Sequence, residues 1–391
     1  MINGINDNKR LAGLFIDLKK AFDMVNHDKL LKKMYNIGIR GISFDWFCSY
    51  LCNRQQKVKI GCTYSSLLSI SVGVPQGSVL GPLLFLIYVN SIFSVKFEGQ
   101  PVAFADDIAF SYNSVNHSLL IKYIKNDLIL LSQWLNENSL LLSEKTKVMF
   151  FDLSSKFSRH DEKFYYHSAL CDKNNCCSDC FEITSTNEVK YLGITLDYHL
   201  NWKSHIRNIV KYLCTVLSKI YILRKLCPFY ILKNVYYSLV ESKLSYGLVC
   251  WGGTYYHSIL PIIKLQKQVV KAIQFKPRYF SSWSLFSKAN ILPLRYLYCF
   301  KVLRIFFLRC GNVINRRVEN YNSRSNLQYL VNVPMSKKEI FRRYYISTAP
   351  FIFNKLPLKL RSIKNKYEFL KEIKIWLFTI TDIENLLKII K

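Results

Sequence analysis

The sequence predicts an α+β protein in which a mixed region of strands and helices is followed by a region that is almost wholly helical. Three observations lead to this prediction. Apolar runs of strand length alternate with helical patterns as far as about residue 200. Beyond that point the patterns are long and helical. The short apolar runs 101–105 and 108–112 are separated only by Asp106 and Asp107, which is the pattern of a tight hairpin.

The elements of the first region follow from local patterns. The apolar run 11–16 ends at Asp17, which predicts a buried strand with a carboxylate at its C-terminal end. A turn at 73–77 precedes a helix that is expected to open at Ser78. The remaining predicted elements are helices at 27–36, 43–51 and 116–136 and strands at 56–60, 67–72, 147–151 and 189–197.

The second region is expected to contain helices at 202–226, 231–244 and 258–273, followed by a basic helical segment. We therefore predict three domains, with bounds 1–199, 200–280 and 281–391.

Composition favours a polyanionic partner. The 391 residues include 55 Lys and Arg against 26 Asp and Glu, a net charge of +29, and the basic residues run from Lys9 to Lys391. Such a surplus favours nucleic acid first. An anionic membrane surface is the alternative, because basic and aromatic residues alternate in 211–225.

The sequence gives no sign of export or of a membrane span. Residues 1–10 are polar, and the most apolar stretch, 79–93, is shorter than a spanning helix and contains Pro82 and Asn90. We expect the chain in the cytoplasm and nucleus, with its 12 cysteines as reduced thiols and no membrane partner.

Asp17, Asp106 and Asp107 stand within sequence that would otherwise be buried. Burying a carboxylate is costly unless a cation compensates for it. Hard divalent ions such as Mg²⁺ take oxygen ligands, and two of them can promote a phosphoryl transfer. The alternative is that the Asp pair only makes the turn, since Asp is a favoured turn residue.

Five segments, in order, resemble the motifs of non-LTR retrotransposon reverse transcriptases of the jockey-like kind. Residues 14–23 (LFIDLKKAFD), 73–82 (GVPQGSVLGP) and 104–107 (FADD) resemble motifs A, B and C. Residues 145–147 and 189–193 resemble motifs D and E. The resemblance implies an RNA-directed DNA polymerase with a right-hand palm in 1–199 and a helical thumb in 200–280.

The resemblance also implies a site. Asp17, Asp106 and Asp107 would hold two Mg²⁺ ions and carry out transfer of dNTPs to the 3′-hydroxyl of a DNA primer on an RNA template. Phe22 would exclude a 2′-hydroxyl, although a core Phe remains the alternative. The implied substrate-binding residues are Leu18, Phe22, Pro75, Gln76, Gly77 and Lys145, and those implied for nucleic acid are Arg54, Leu192 and Gly193. For Lys145 and Arg54, a solvated surface charge is the alternative.

Two further groups of residues complete the prediction. Lys203, Arg207, Lys211 and Lys219 supply charge along the first thumb helix, where they can follow a phosphate backbone. Cys171, Cys176, Cys177 and Cys180 crowd a polar insertion. We expect no zinc there, because no second spaced pair exists and adjacent cysteines rarely chelate one ion together.

Complete members of the family carry fingers before motif A, whereas Asp17 is preceded by sixteen residues. We therefore expect the fingers to be mostly missing. Two functions stay open: an RNA-directed DNA polymerase, or a catalytically inactive remnant of one that binds nucleic acid.

Overall fold

The structure is a computed structural model that describes residues 7, 9–151, 162–167, 180–316, 330–334, 338–380 and 382–387. The chain divides into two compact units, one ending at Gly193 and the other beginning at Ile194. Each unit contains a large hydrophobic core cluster. The division into three domains after residues 199 and 280 stays a prediction.

The first unit is built on a six-stranded sheet in the order β6-β7-β1-β8-β10-β9. Two short ribbons, β2–β5 and β3–β4, lie outside this sheet. The strands of this unit are β1 (Arg10–Ile16), β2 (Arg54–Gln56), β3 (Lys59–Ile60), β4 (Thr63–Tyr64), β5 (Leu68–Ile70), β6 (Gln100–Phe104), β7 (Asp107–Ser114), β8 (Lys147–Phe151), β9 (Phe164–Tyr166), β10 (Phe181–Ser185) and β11 (Glu188–Tyr191).

Strand β1 lies inside the sheet because it is apolar on both faces. Leu11, Ala12, Leu14 and Ile16 are all buried. β1 pairs antiparallel with β7 on one side and with β8 on the other. β6 and β7 form a tight antiparallel hairpin. The buried strand and the hairpin expected from the sequence are therefore confirmed.

The helices of the first unit are His27–Asn36, Gly41–Leu51, Gly81–Val89 and His117–Glu137, with a 3₁₀ turn at Asn90–Ser94. The His117–Glu137 helix packs on β1 and β7. It buries Leu120, Ile124, Leu128 and Leu131, a stripe with helical spacing that faces the core.

Three local predictions were wrong. The strand expected at 56–60 is divided, because β2 ends at Gln56 and β3 contains only Lys59 and Ile60. The helix expected at Ser78 begins at Gly81, because the Ser78 hydroxyl donates to Pro75 O at 2.8 Å and accepts from Gly81 N at 2.9 Å, which closes a loop first. The strand expected at 189–197 is two strands. Leu192 and Gly193 have φ of 46° and 74°, the left-handed values of a tight turn, so β11 ends at Tyr191.

The second unit begins with β12 (Ile194–Asp197) and continues as helices. One core cluster contains residues from Ile206 to Leu387. The Lys203–Leu223 and Tyr256–Ile273 helices pack against each other. The other helices are Phe229–Val235, Ser242–Ser245, Leu248–Trp251, Trp283–Ala289, Leu294–Arg316, Glu339–Arg342, Tyr345–Asn354, Leu358–Arg361, Lys366–Thr379 and Ile383–Leu386, with a π-helical turn at Tyr236–Glu241.

Strands and helices in these proportions confirm the α+β fold class. Among the described helices, none has both the length and the apolar composition needed to cross a bilayer.

Candidate active site

Three carboxylates lie at one end of the central strands of the first unit. The last residue pair between β1 and β7 includes Ile108, so Asp17 follows at the position next to Asp107. The β6–β7 hairpin pairs Phe104 with Asp107 and places Asp106 in the turn between them. The structure therefore brings Asp17, Asp106 and Asp107 to the same edge of the sheet.

The three carboxylates affect one another. Burial raises the pKa of Asp107, and the negative charges of Asp106 and Asp17 raise it further. Among the described residues, no three His, Cys, Asp or Glu side chains are already gathered as a metal-binding group. Like charges repel, and a divalent cation bound between the three carboxylates would offset that repulsion. The donor set itself, three carboxylates at the end of apolar strands, fits such a hard cation.

The backbone of Asp17 is held by the 141–146 segment. Its N–H donates to Thr146 Oγ1 at 3.2 Å, and its carbonyl accepts from Ser143 N at 2.8 Å. Lys145 lies in the same segment with an exposed side chain. The segment that contains Lys145 is thus hydrogen-bonded directly to the end of β1, where Asp17 lies. Sequence reasoning did not identify Thr146 as the anchor.

Two of the residues expected to bind the nucleotide have side chains that pack wholly or partly in the hydrophobic core. The side chain of Leu18 is 8% exposed, and the residue forms an isolated β-bridge with Leu142. Only the backbone of Leu18 could therefore contact a substrate. Phe22 is half-buried and stacks on Phe85 with ring centroids 4.5 Å apart and 24° between planes. Phe85 fixes the orientation of the Phe22 ring.

The motif B turn is bonded to the turn that follows Asp17. Val74 N donates to Phe22 O at 2.9 Å. A Cβ on Gly73, whose φ is +90°, would lie 2.9 Å from Asp23 O, so only glycine fits this approach. Gln76 Nε2 donates to Asp23 Oδ1 at 2.8 Å. Asp23, which was not among the expected site residues, therefore positions Gln76.

Pro75 and Gly77 shape the same loop. Pro75 O accepts from both the backbone N–H and the hydroxyl of Ser78, at 3.3 Å and 2.8 Å, which closes the turn. Gly77 has φ of +81°, and a Cβ added there would meet open space. The backbone of Gly77 is therefore accessible to a ligand.

Tyr191 is a further residue near the carboxylates that was not among the expected site residues. Burial raises the pKa of Tyr191, and the charge of Asp107 raises it further. Its ring lies against Phe15 with centroids 5.5 Å apart. The turn at Leu192 and Gly193 follows immediately. The signal was present in the sequence, since Tyr191 stands inside the 189–193 segment.

The remaining expected residues lie elsewhere. Arg54 is in β2, opposite Ile70 of β5, in a ribbon outside the six-stranded sheet. Lys203, Arg207, Lys211 and Lys219 are exposed along one helix of the second unit. Of the cysteine group, Cys171, Cys176 and Cys177 lie outside the described residues, and the side chain of Cys180 is half-buried.

Comparison with known proteins identifies the family in which this arrangement of carboxylates is found. A family model described as reverse transcriptase (RNA-dependent DNA polymerase) matches residues 4–196. The matched range contains the three carboxylates and all five motif-like segments. The chain belongs to the reverse transcriptase family. The expected family is therefore confirmed.

Two relatives from Drosophila melanogaster place this reverse transcriptase in the jockey-like non-LTR group. The probable RNA-directed DNA polymerase from transposon BS is 25% identical over 305 residues, covering 74% of this chain and 32% of the relative. The RNA-directed DNA polymerase from mobile element jockey is 28% identical over 295 residues, covering 70% and 29%. The chain spans about a third of the length of these relatives.

A solved structure of apo telomerase from Candida tropicalis is also similar to the chain. It is 15% identical, covers 98% of this chain and 56% of that chain, and has a TM-score of 0.40. At this score the likeness is remote, and the family assignment rests on the sequence match.

Proposed function

We propose that this reverse transcriptase is an RNA-directed DNA polymerase that transfers dNTPs to the 3′-hydroxyl of a DNA primer on an RNA template, in the cytoplasm and nucleus. The observation that carries the proposal is the edge of the sheet at which Asp17, Asp106 and Asp107 lie close enough for their charges to interact. Carboxylates arranged in this way suit an enzyme that binds Mg²⁺.

In the proposed mechanism Asp17 and Asp106 hold two Mg²⁺ ions, and Asp107 assists. Two such ions, when bound, activate the attacking hydroxyl and stabilise the leaving oxygen of the phosphoryl transfer. The protein contributes geometry. The bond that Asp17 N donates to Thr146 and the bond that Asp17 O accepts from Ser143 N fix the end of β1, so the carboxylate is carried on a rigid element.

The nucleotide is proposed to lie between the motif A and motif B turns. Gln76, positioned by Asp23, donates to the nucleotide or template. Phe22, supported by Phe85, lies against the sugar and excludes a 2′-hydroxyl. The backbone of Leu18 and the exposed Lys145 approach the triphosphate. Pro75 and Gly77 complete the binding surface.

The nucleic acid is proposed to contact both units. In the first unit, Arg54 meets template phosphate, and the Leu192–Gly193 turn meets the primer. In the second unit, four exposed cations on the Lys203–Leu223 helix, Lys203, Arg207, Lys211 and Lys219, follow the duplex backbone.

A second function is binding of nucleic acid without polymerisation. It is favoured by one observation: the net charge of +29 attracts nucleic acid whether or not the carboxylates carry out chemistry. The two candidates differ in a single measurable respect, which is extension of a primer.

The deciding experiment is primer extension on poly(rA) annealed to oligo(dT), with Mg²⁺ and dTTP, using the chain and its Asp106→Asn variant. We expect extension by the chain and a loss of at least about 100-fold in the variant, the scale on which removal of one catalytic electrostatic group acts. Binding of the primer–template should change less than about twofold, because an exposed carboxylate contributes little to phosphate binding.

The matched control is Asp45→Asn, which removes an exposed carboxylate from the Gly41–Leu51 helix. It should extend the primer as the unchanged chain does. Extension that is equal in the chain and in Asp106→Asn would contradict the proposed chemistry. No extension by any of the three proteins, with binding retained, would favour the second function.

A further inference from the structure

A cavity of about 300 Å³ lies in the second unit, among helices that are far apart in the sequence. Tyr256, Ile263 and Lys267 line it from the Tyr256–Ile273 helix, with spacings of seven and four residues that place them on one face. Trp283 lines it from the next helix, and Tyr296 from the first turn of the Leu294–Arg316 helix. The volume is at the lower end of the range of small-ligand sites, about 300 to 1,000 Å³.

The walls of this pocket include aromatic surface that is open to solvent. Trp283 is 37% exposed and Tyr256 is 46% exposed. Trp283 is supported from one side by Tyr296, with ring centroids 5.2 Å apart and 49° between planes. Tyr296 is itself 5% exposed, and its hydroxyl donates to Ile380 O at 3.0 Å. A rigid indole therefore offers a stacking surface to a ligand.

The pocket is also positively charged. Arg295, 5% exposed, is held in place by donation from Nη1 to Gly252 O at 3.2 Å and to Thr254 O at 3.4 Å. Lys267 is exposed at the rim. The first turn of the 23-residue helix that begins at Leu294 lines the same space, and a helix N-terminus carries partial positive charge, although Leu294 N itself donates to Gln266 Oε1 at 2.8 Å. Asp382 places one carboxylate among these lining residues.

From this combination we infer that the pocket binds one nucleotide of a single-stranded nucleic acid, distinct from the nucleotide at the polymerase site. The base stacks on Trp283, and its phosphate lies near Lys267 and the N-terminal end of the Leu294–Arg316 helix. Asp382 accepts from an amino group of the base or from a ribose hydroxyl. A simple anion would not require the aromatic wall, and an apolar peptide side chain would not require the cations.

A strand is favoured over a free mononucleotide because of the net charge of the unit that contains the pocket. Residues 194–391 carry 34 Lys and Arg against 8 Asp and Glu, a net charge of +26. A surface of this charge concentrates a polyanion much more strongly than a single nucleotide.

The test is binding of a fluorescent 12-nucleotide oligo(rU), followed by anisotropy in EDTA. Trp283→Ala should weaken binding about tenfold, the scale of stacking one base on an aromatic ring, and Trp283→Phe should restore most of the affinity. The matched control is Tyr367→Ala, which removes a ring that is 79% exposed on another helix of the same unit. It should change the affinity less than about twofold.

A second pair of variants tests the phosphate position. Lys267→Gln should weaken binding more than Lys264→Gln, although both lysines are exposed on the same helix, because only Lys267 is among the residues lining the pocket. Circular dichroism and the thermal unfolding midpoint establish that each variant folds.

Strands with abasic positions separate stacking from charge. If Trp283 stacks on a base, Trp283→Ala weakens binding of the intact strand and leaves binding of the abasic strand nearly unchanged. Equal weakening of both strands, or equal effects of Lys264→Gln and Lys267→Gln, would overturn the inference. Competition by UMP at micromolar concentration would assign the pocket to a free nucleotide, and competition only by oligomers would assign it to a strand.

This binding is independent of the proposed polymerase chemistry. It is measured without Mg²⁺, and the Asp106→Asn chain should give the same affinities for all strands. Failure of primer extension therefore leaves the test of the pocket intact, and failure of the pocket test leaves primer extension intact.

Discussion

The unit that ends at Gly193 and the unit that begins at Ile194 divide the charge of the chain unequally. Residues 1–193 carry 21 Lys and Arg against 18 Asp and Glu, a net charge of +3, whereas residues 194–391 carry 34 against 8, a net charge of +26. Basic residues run from Lys9 to Lys391, but nearly all of the surplus positive charge belongs to the second unit.

This difference suggests a division of roles. The first unit contains the three carboxylates whose charges interact, and a strongly positive surface around them would compete with the divalent cations they are proposed to bind. The second unit has no such constraint on its charge and can attract phosphate over a large surface. We therefore expect chemistry to depend on the first unit and affinity to depend on the second.

The largest effect is expected from removing charge in the second unit. Replacing Lys203, Arg207, Lys211 and Lys219 by Gln should weaken duplex binding about tenfold, at 0.1 M salt, for each residue that contacts a phosphate. The slope of log K against log salt concentration should become shallower by about 0.9 for each such contact. Filter binding across a salt series measures both quantities.

The matched control is a quadruple replacement in the first unit, where Lys32, Lys96, Lys122 and Lys125 are also exposed. Replacing these by Gln should leave the salt slope nearly unchanged. If the two quadruple variants lose the same affinity, the proposed division of roles is wrong.

The second effect concerns the pH dependence of stability. His205, 4% exposed in the second unit, packs edge-on against Trp251, and its Nδ1 accepts from Thr195 N at 3.3 Å. Burial lowers the pKa of His205 to about 4, and the charge of Lys243 contributes. In the unfolded chain the pKa returns to about 6.5.

As the pH falls, the unfolded chain therefore takes up the proton first. Stability that is fully present above pH 6.5 should be lost between pH 6.5 and about 4, by as much as about 3 kcal/mol, since one unit of pKa corresponds to about 1.4 kcal/mol. Hydrogen exchange of the Lys203–Leu223 helix measures this loss. His205→Gln should flatten the dependence, and His257→Gln, which alters an exposed histidine, should not.

Sequence patterns were sufficient for the carboxylates because their positions are set locally. An apolar run that ends at Asp17 and a hairpin with Asp106 in its turn both follow from neighbouring residues. The loop at Ser78 shows the limit of such reasoning. The turn signal at 73–77 ends immediately before Ser78, so the helix was expected to begin there, three residues too early. The hydrogen bonds of the Ser78 hydroxyl extend the loop to Gly81.

The hydrogen bonds that hold the site residues in place could not be predicted, because they join residues that are distant in the chain. Thr146 lies 129 residues from Asp17, and Gln76 lies 53 residues from Asp23. Nothing in a single sequence gives the pairing of β1 with the segment before β8. The aromatic pocket of the second unit is a similar case, since Tyr256, Trp283 and Tyr296 come together only through helix packing.

The third effect tests whether the first unit also sets the selectivity for deoxynucleotides over ribonucleotides. Phe22→Val removes the ring that is proposed to exclude a 2′-hydroxyl, so the ratio of kcat/KM for UTP to that for dTTP should rise roughly 10- to 200-fold, the range for steric rejection in a pocket. Steady-state single-nucleotide extension measures the ratio, which is insensitive to a loss of folded enzyme.

Phe47→Val is the control for this variant, because Phe47 is likewise half-buried against the core of the first unit. The ratio of kcat/KM for UTP to that for dTTP should stay unchanged in Phe47→Val. It should also stay unchanged in the quadruple Gln variant of the Lys203–Leu223 helix. A rise of equal size in Phe22→Val and Phe47→Val would show that the ratio reports general loosening of the core.

The smallest effect tests whether every buried acid of the first unit takes part in chemistry. Asp127, 1% exposed on the His117–Glu137 helix, accepts from Glu98 N at 2.9 Å and from Gly99 N at 2.8 Å. Burial raises the pKa of Asp127, and the two backbone donors oppose that rise. A Cβ on Gly99 would collide with the Tyr112 ring, so only glycine fits at this position of the loop that Asp127 holds.

Asp127→Asn keeps the shape of the side chain but turns an amide N–H₂ toward one of the two N–H donors. It should lower the free energy of unfolding by about 1 to 3 kcal/mol, the cost of leaving one buried group unsatisfied, as measured by urea titration. Primer extension per folded molecule should be unchanged. A normal unfolding curve with lost extension would place Asp127 with the carboxylates that act in catalysis, and the first unit would then contain a fourth acid that its edge-of-sheet geometry does not reveal.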